Sequence, residues 1–205
     1  MNRQNWKEIN GDETLALDWP LDENSRVWEI GGYEGRWAQQ IWDKFHCNIR
    51  IFEPQLWAVD RLMKRFYGNT KIDVRPYGLW VADHVFEIGN YHTDGASMIV
   101  DDRREPMQPG AFKDIKNEIG DFSDLHGNLW PIDVALMNIE GAEWDLIPYM
   151  CIVGAIGEIR NFWCQFHEGA ARDPQNQYVD IFRLMDSTHD MIWDCYPTAV
   201  AWRKR

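Results

Sequence analysis

The sequence has few cysteines, no long apolar run and little positive charge. Its four cysteines, Cys47, Cys151, Cys164 and Cys195, lie far apart and form no C-x-x-C pair, which argues against a zinc site or a disulfide framework. No apolar run approaches the roughly 20 residues of a membrane-spanning helix, so we expect no membrane partner. The first residues show neither an apolar core nor a cleavage-site pattern, which predicts no secretory signal and a cytoplasmic location.

The charge balance is acidic, with 33 acidic and 21 basic residues and a formal net charge of -12. Binding to a phosphate backbone needs a basic surface, so this balance predicts that nucleic acid is not a partner. The three residues at 203–205 form a basic cluster, and a cluster this short is typically solvated. The oligomeric state is not determined by these features, and a homo-oligomer stays open.

The length of 205 residues and a hydrophobic content of 45% fit one globular domain. Residues 1–26 are polar and mixed, and we interpret them as an arm or short helix covering one end of a sheet, with a substrate lid as the alternative. Residues 27–205 then form the domain itself. Twelve tryptophans are unusual. Most should be core residues, but exposed ones would be able to stack on sugar faces.

The first motif, V-W-E-I-G-G-Y-E-G, predicts a strand, a tight glycine turn and the start of a helix. A dinucleotide fingerprint needs glycine at the first, third and sixth positions of its turn, and the last two of these are Tyr33 and Arg36 here. A nicotinamide dehydrogenase is therefore disfavoured. The spacing suits S-adenosylmethionine, which carries no phosphate. The alternative is an ordinary glycine turn between a strand and a helix that binds no cofactor. The residues we expect to hold the cofactor in this motif are Glu29, Gly31, Gly32, Tyr33 and Gly35.

A second acid, Glu53, ends the predicted strand at 48–53, some twenty residues beyond the glycine turn. A carboxylate at this place can accept hydrogen bonds from both hydroxyls of a ribose. The alternative is that Glu53-Pro54 merely starts the next helix. The third predicted strand, 71–77, ends in Tyr77-Gly78-Leu79, which we expect to flank the adenine ring.

Strands and helices alternate along the chain, which predicts an α/β fold with a doubly wound, mostly parallel sheet. The exception is an inserted hairpin, predicted between the alternating runs at 81–88 and 96–100. In the stretch 101–132, one broken helix is predicted from the spacing of Phe112, Ile115, Ile119 and Phe122. The other predicted elements are helices at 36–45, 56–66, around 143–148 and 178–185, strands at 133–139 and 159–166, and a closing hairpin at 191–196 and 198–202.

A resemblance to a known family rests on four motifs in a fixed order: V-W-E-I-G-G-Y-E-G, I-F-E-P, the Tyr77-Gly78-Leu79 turn, and A-L-M-N-I-E-G-A-E-W-D-L-I. Together they resemble the FkbM family of S-adenosylmethionine-dependent methyltransferases, over roughly residues 27–168. The resemblance implies a Rossmann-like class I methyltransferase with a mostly parallel seven-stranded sheet, helices on both faces and an antiparallel last strand. It also implies O-methylation of a hydroxyl on a sugar or a glycosylated natural product.

Two residues depart from the family pattern. Leu136 and Asn138 stand where the family usually carries a lysine and an aspartate, although Asn138 can still hydrogen-bond the cofactor. These departures keep open a second function, that of a binding protein which retains the cofactor fold without catalysing a reaction.

The acceptor end of the site is expected beyond the carboxyl ends of the later strands, where Glu140, Glu143 and His167 fall. These are the candidate catalytic residues, because a base beside the acceptor assists methyl transfer. Other roles stay open for each: Glu140 could order the cofactor or the acceptor, Glu143 would stabilise a helix N-terminus in any case, and His167 could be structural. Asp101 is a weaker candidate base. No spacing requires a metal ion, so no metal-ligand set is assigned; metal dependence stays open, with Asp101, Asp102, Glu140 and His167 as residues that could contribute ligands.

Overall fold

A computed structural model describes residues 5–90, 92–93, 95–98, 107–120 and 131–205. Within these ranges the helices are α1 (Arg36–Phe45), α2 (Leu56–Arg65), α3 (Ile115–Gly120), α4 (Glu143–Ile152) and α5 (Pro174–Met185), and 3₁₀ turns lie at Leu15–Leu17, Ala155–Glu158 and Glu168–Ala170. The strands are β1 (Arg26–Ile30), β2 (Asn48–Phe52), β3 (Ile72–Arg75), β4 (Gly78–Trp80), β5 (His84–Ile88), β6 (Gln108–Asp114), β7 (Ile132–Met137), β8 (Ile159–Cys164), β9 (His189–Cys195) and β10 (Ala199–Lys204).

Seven strands form the main sheet, in the order β3-β2-β1-β7-β8-β10-β9. The first five of these pair in parallel, whereas β10 is antiparallel to both β8 and β9. The predicted seven-stranded, mostly parallel sheet with an antiparallel last strand is therefore confirmed. The strand order reverses between β1 and β7, and open α/β sheets bind ligands at the carboxyl ends of strands beside such a reversal.

Both faces of the sheet are buried. Successive side chains of a strand point to opposite faces, so that Ala135 and Met137 of β7 join one hydrophobic core while Val134 and Leu136 join the other. Helices α4 and α5 pack on the first core, and α1 and α2 pack on the second. Because neither face meets water, the central strands consist of nearly continuous apolar runs, which made them recognisable in the sequence.

The N-terminal segment packs on the same face of the sheet as α1 and α2. Trp6 stacks on Trp163 of β8, with ring centroids 5.8 Å apart, and Trp19 lies 6.2 Å from Trp193 of β9. All four rings are at most 8% exposed. Large aromatic side chains bury extensive apolar area, so this cluster gives the tryptophan excess a structural role. The tryptophans buried among the described residues are Trp6, Trp19, Trp28, Trp37, Trp144, Trp163, Trp193 and Trp202.

A small second sheet, in the order β4-β6-β5, replaces the predicted hairpin. Strand β5 pairs with β6, from His84 opposite Phe112 to Ile88 opposite Gln108, so within the described residues its strand partner is β6 and not the run at 96–100 that the hairpin prediction gave it. Of that run, Ser97 forms an isolated antiparallel bridge with Gly89, and residues 99 and 100 lie outside the described ranges. Alternation indicates a strand but not its partner, and here the partner lies beyond the nearest alternating run.

Two helix predictions also need correction. Phe112 belongs to β6, and α3 starts only at Ile115, while Phe122 lies outside the described residues. Helix α4 does not end near Pro148 but continues to Ile152. Proline removes one backbone hydrogen bond from a helix. The flanking Ile147 and Met150 are fully buried in the core, and this packing keeps the chain helical through the proline.

Candidate functional site

A cavity of about 540 Å³ opens at the carboxyl ends of β1, β2, β7 and β8. This volume lies within the range of small-molecule binding sites. The second sheet closes one side of it through residues such as Ile88 and Phe112. The predicted site residues that line the cavity are Gly31, Tyr33, Glu53, Pro54, Gly78, Asn138, Glu140 and His167, whereas Glu29, Gly32, Gly35, Tyr77 and Glu143 do not.

The glycine turn after β1 is built for a close approach of two backbones. Gly31 adopts a φ of +90°, and a Cβ added there would lie 1.9 Å from the carbonyl oxygen of Asn138. The N–H groups of Gly31 and Gly32 both donate to the carbonyl of Phe52, at 3.0 and 3.1 Å. Gly35 begins α1 with a φ of +68°. The turn thus joins the ends of β1, β2 and β7, and no larger side chain fits at Gly31.

Glu53 connects two loops at the edge of the cavity. One carboxylate oxygen accepts the N–H of Tyr33 at 2.7 Å, and the other accepts the N–H of Gln55 at 2.8 Å. The residue is 3% exposed, and burial raises the pKa of Glu53 to about 7, against the lowering effect of these two hydrogen bonds. A carboxylate oxygen can accept more than one hydrogen bond. Glu53 therefore keeps acceptor capacity for hydroxyl groups of a ligand.

Glu29 lies behind the turn and not in the cavity, contrary to our expectation that it grips the cofactor together with Glu53. Burial raises the pKa of Glu29 well above its ordinary value, and the charge of Glu53 adds to the rise, whereas a hydrogen bond from the backbone of Ala38 opposes it. Ala38 is in the first turn of α1, where N–H groups have no partner within the helix. Glu29 therefore supports the helix start.

Two further residues lie outside the cavity. The hydroxyl of Tyr77 donates to Glu118 at 2.8 Å, and its ring packs 6.1 Å from Phe52, so that Gly78 and not Tyr77 lines the cavity. Leu136 is 5% exposed and packs in the core on the α1 side. Of the two departures from the family pattern, Asn138 alone meets the cavity, and its buried Oδ1 atom has no hydrogen-bond partner among the described residues.

The three candidate catalytic residues form one connected group. Glu143 is fully buried, and its Oε1 atom accepts the backbone N–H of His167 at 2.7 Å and lies 3.1 Å from the ring Nδ1. The opposite ring nitrogen, Nε2, lies 3.0 Å from Oε1 of Glu140. The Glu143 carboxylate thus fixes the imidazole, and the imidazole fixes the Glu140 carboxylate at the cavity wall.

The geometry favours a charged His167. Burial alone would lower the pKa of His167, but hydrogen bonds with Glu140 and Glu143, together with the charges of both carboxylates, raise it to about 9. An imidazolium donates from both nitrogens and cannot accept another proton. The arrangement therefore does not favour His167 as the base. Glu140, the carboxylate of this group that lines the cavity, is better suited to receive a proton from a bound acceptor.

This ion-paired histidine predicts a loss of stability at alkaline pH. Its folded-state pKa lies above the ordinary 6.5, so its contribution is fully present below about pH 6.5 and is lost as the pH rises through 9. We expect the free energy of unfolding, measured in urea, to fall by roughly 2–3 kcal/mol between pH 7 and 10. The groups facing the ring are Glu140, Glu143 and the Gln165 amide. A His167→Gln variant should lack this component, and equal pH dependence in both proteins would contradict the assignment.

Several lining residues were not predicted. Gln55 directly follows Glu53-Pro54, and this adjacency was a usable signal. The second sheet and the segment beside it contribute further lining residues that no motif marks, namely Ile88, Ala96, Met98 and Phe112.

Asp101 and Asp102 lie outside the described residues. Among the residues that the structure does describe, no cluster of three or more His, Cys, Asp or Glu side chains could hold a metal ion.

Comparison with known proteins gives the fold but no family. No protein-family model and no curated protein sequence matches the chain. Solved structures do match: an rRNA methylase from Streptococcus thermophilus (11% identity, TM-score 0.53, 100% of this chain and 98% of that one) and the N-methyltransferase NodS from Bradyrhizobium japonicum WM9 (11%, 0.52, 97% and 94%). A third is a Streptococcus mutans protein, described as a methyltransferase, in complex with SAH (9%, 0.53, 100% of both chains). The chain therefore has the class I methyltransferase fold.

These matches correct one expectation. The net charge led us to predict that nucleic acid is not a partner, but matched structures include proteins described by their action on ribosomal RNA. This fold therefore occurs in proteins that act on nucleic acid, and the prediction is wrong as an exclusion. Net charge is an average over the whole surface, whereas binding to phosphates depends on a local patch.

None of the helices in the described ranges is both long enough and apolar enough to cross a bilayer. The cytoplasmic location stays a prediction.

Proposed function

We propose that the protein is an S-adenosylmethionine-dependent methyltransferase related to the FkbM family, and that it methylates a hydroxyl on a sugar or a glycosylated natural product. The observation that carries the proposal is Glu53. Its carboxylate is fixed by two backbone N–H groups from two loops, at 2.7 and 2.8 Å, and lines the cavity at the end of β2. An acceptor fixed in this way suits a pair of ribose hydroxyls.

The other lining residues fit the same cofactor. Pro54 and Leu79 provide apolar surface for a flat base. The Oδ1 atom of Asn138, which no described residue hydrogen-bonds, is an acceptor suited to an amino group. No lysine or arginine is among the described residues that line the cavity, and its histidine is already bonded to two carboxylates. A pyrophosphate would find little positive charge here, whereas a sulfonium and an ammonium group would not be repelled. The lining therefore favours S-adenosylmethionine over a dinucleotide.

The chemistry expected of the chain is modest. When bound, S-adenosylmethionine supplies a methyl group that is already activated for displacement. Glu53 would orient the ribose, and Glu140 would take the proton of the acceptor hydroxyl. His167 and Glu143 would hold Glu140 in place. Positioning of this kind is a large part of catalysis when the cofactor carries the reactive group.

The acceptor class rests on the family resemblance. A second function, cofactor binding without catalysis, is favoured by one observation: Asn138 meets the cavity where the family usually has an aspartate. An amide can hydrogen-bond the cofactor but cannot act as a base. The two functions share the cofactor and differ in turnover.

Two measurements test the proposal. Isothermal titration calorimetry should detect binding of S-adenosylhomocysteine and no comparable binding of NAD. Absence of S-adenosylhomocysteine binding by the folded protein would overturn the proposal. Formation of S-adenosylhomocysteine from S-adenosylmethionine is then measured with a panel of glycans and, for comparison, amines and ribosomal RNA fragments. Binding without turnover on any of them would favour the non-catalytic function, and turnover on amines or RNA alone would replace the acceptor class.

A further inference from the structure

Glu140 has a strained backbone. Its φ is +53°, in the left-handed region that residues other than glycine rarely adopt, and the following Gly141 has a φ of +109°. For a residue with a Cβ this conformation is energetically unfavourable. Such a conformation persists only where neighbouring groups hold it. The contacts around Glu140 identify those groups.

The peptide unit between Glu140 and Gly141 is held on both sides. Its carbonyl oxygen accepts a hydrogen bond from Oγ of Ser97 at 2.7 Å, and its N–H donates to Oε2 of Glu143 at 2.8 Å. Because both polar groups of one peptide are bonded in opposite directions, its plane cannot rotate freely. This peptide adjoins the Cα atom that carries the Glu140 side chain, and the carboxylate of that side chain reaches His167 at 3.0 Å.

Ser97 belongs to a different part of the molecule from the other groups in this arrangement. It is 2% exposed, and its backbone exchanges two hydrogen bonds with Gly89, at 2.9 and 3.1 Å. Its neighbours Ala96 and Met98 line the cavity. Ser97 therefore links the cavity wall beside the second sheet to the loop after β7.

We propose that Ser97 is a positioning residue, whose hydroxyl fixes the Glu140–Gly141 peptide and thereby holds the Glu140 carboxylate against His167. The role of this carboxylate toward an acceptor rests on the proposed function, but the contact between Ser97 and Glu140 does not. Without the hydroxyl, the carbonyl of Glu140 loses this donor, and the strained peptide is held on one side only, by the bond from Gly141 N–H to Glu143. The carboxylate then no longer stays within hydrogen-bonding distance of the ring.

The first test needs no cofactor. Ser97→Ala removes the hydroxyl, and Ser97→Cys keeps nearly the same volume with a much weaker donor. NMR titration of the His167 ring should give a pKa of about 9 in the unmodified protein and values closer to the ordinary 6.5 in both variants. Thr93→Ala is the matched control, because it removes a hydroxyl from the same segment that bonds Asn90 and not Glu140. It should titrate like the unmodified protein.

The outcomes separate the possible roles. An unchanged His167 titration in folded Ser97→Ala and Ser97→Cys would overturn the proposal, and so would an equal change in Thr93→Ala, because the segment and not the hydroxyl would then be responsible. If Ser97→Ala does not fold, as judged by thermal unfolding, Ser97→Cys decides.

Where the unmodified protein turns over, kcat should fall about tenfold or more in the Ser97 variants. Their affinity for S-adenosylhomocysteine should stay within about threefold. If no cofactor binds to any of these proteins, the proposed function fails while the titration still decides on Ser97.

Discussion

Replacement of Glu53 by alanine is expected to weaken S-adenosylhomocysteine binding at least 100-fold. The carboxylate would lose two hydrogen bonds to the ligand, and bonds to a charged acceptor contribute about 1.5–3 kcal/mol each. The N–H groups of Tyr33 and Gln55, which now donate to Glu53, would also lose their partner and loosen both loops. Calorimetry gives the dissociation constant, and circular dichroism establishes that the variant is folded.

Glu34 supplies the matched control for this substitution. It is an acid in the same glycine turn, but it pairs with Arg36 and Arg61 and does not line the cavity. Glu34→Ala should bind S-adenosylhomocysteine within about twofold of the unmodified protein, since such exposed pairs contribute little. Binding by folded Glu53→Ala within threefold of the unmodified protein would contradict the role assigned to this carboxylate.

The titration of Glu53 offers an internal check on the same carboxylate. Because its pKa is raised to about 7, the charged form that accepts ligand hydroxyls best is present above pH 7 and is lost below it. Affinity for S-adenosylhomocysteine should therefore weaken as the pH falls from 8 to 6. Glu53→Gln cannot titrate, so its weaker affinity should change little over this range. A parallel pH dependence in both proteins would assign the effect to another group.

Glu143→Ala is expected to lower the free energy of unfolding by roughly 3–5 kcal/mol, the usual effect of breaking a buried ion pair. Glu143 is fully buried and accepts the N–H groups of Gly141 and His167 as well as facing the His167 ring. Its removal leaves two N–H groups without this acceptor and takes away one of the two carboxylates that face the His167 ring, the other being Glu140. Urea unfolding at pH 7 measures the loss, and for a chain of this length the melting temperature should fall by about 10 °C.

Asp145 distinguishes this network from a general helix effect. It lies in the same first turn of α4 but is exposed. A carboxylate there interacts with the helix dipole, which contributes about 0.3–1 kcal/mol. Asp145→Ala should therefore lower the free energy of unfolding by no more than this amount. If Glu143→Ala costs no more than Asp145→Ala, Glu143 acts as a helix-capping charge and the network carries little stability.

The sequence identified the parts of the fold whose signals are local. Glycine at 31, an acid at 53 and the strongly apolar runs that became β1, β7 and β8 each reflect a requirement of one short segment, namely a positive φ, a polar strand end or burial on both faces. Such requirements restrict residue type directly, so they can be recognised from a single sequence. The mostly parallel sheet and the position of Glu53 followed from them, whereas the seven strands and the antiparallel last strand were implied by the family resemblance.

The tertiary structure decided the relations between segments that lie apart in the sequence. The pairing of β5 with β6, the placement of Glu29 behind the turn and the contact of Ser97 with Glu140 each join residues that no local pattern connects. The charge state of His167 belongs here too, since it depends on two carboxylates 24 and 27 residues away along the chain. A side chain's chemistry is fixed by its type, but its pKa and partners depend on burial and on nearby charges, and these exist only once the chain has folded.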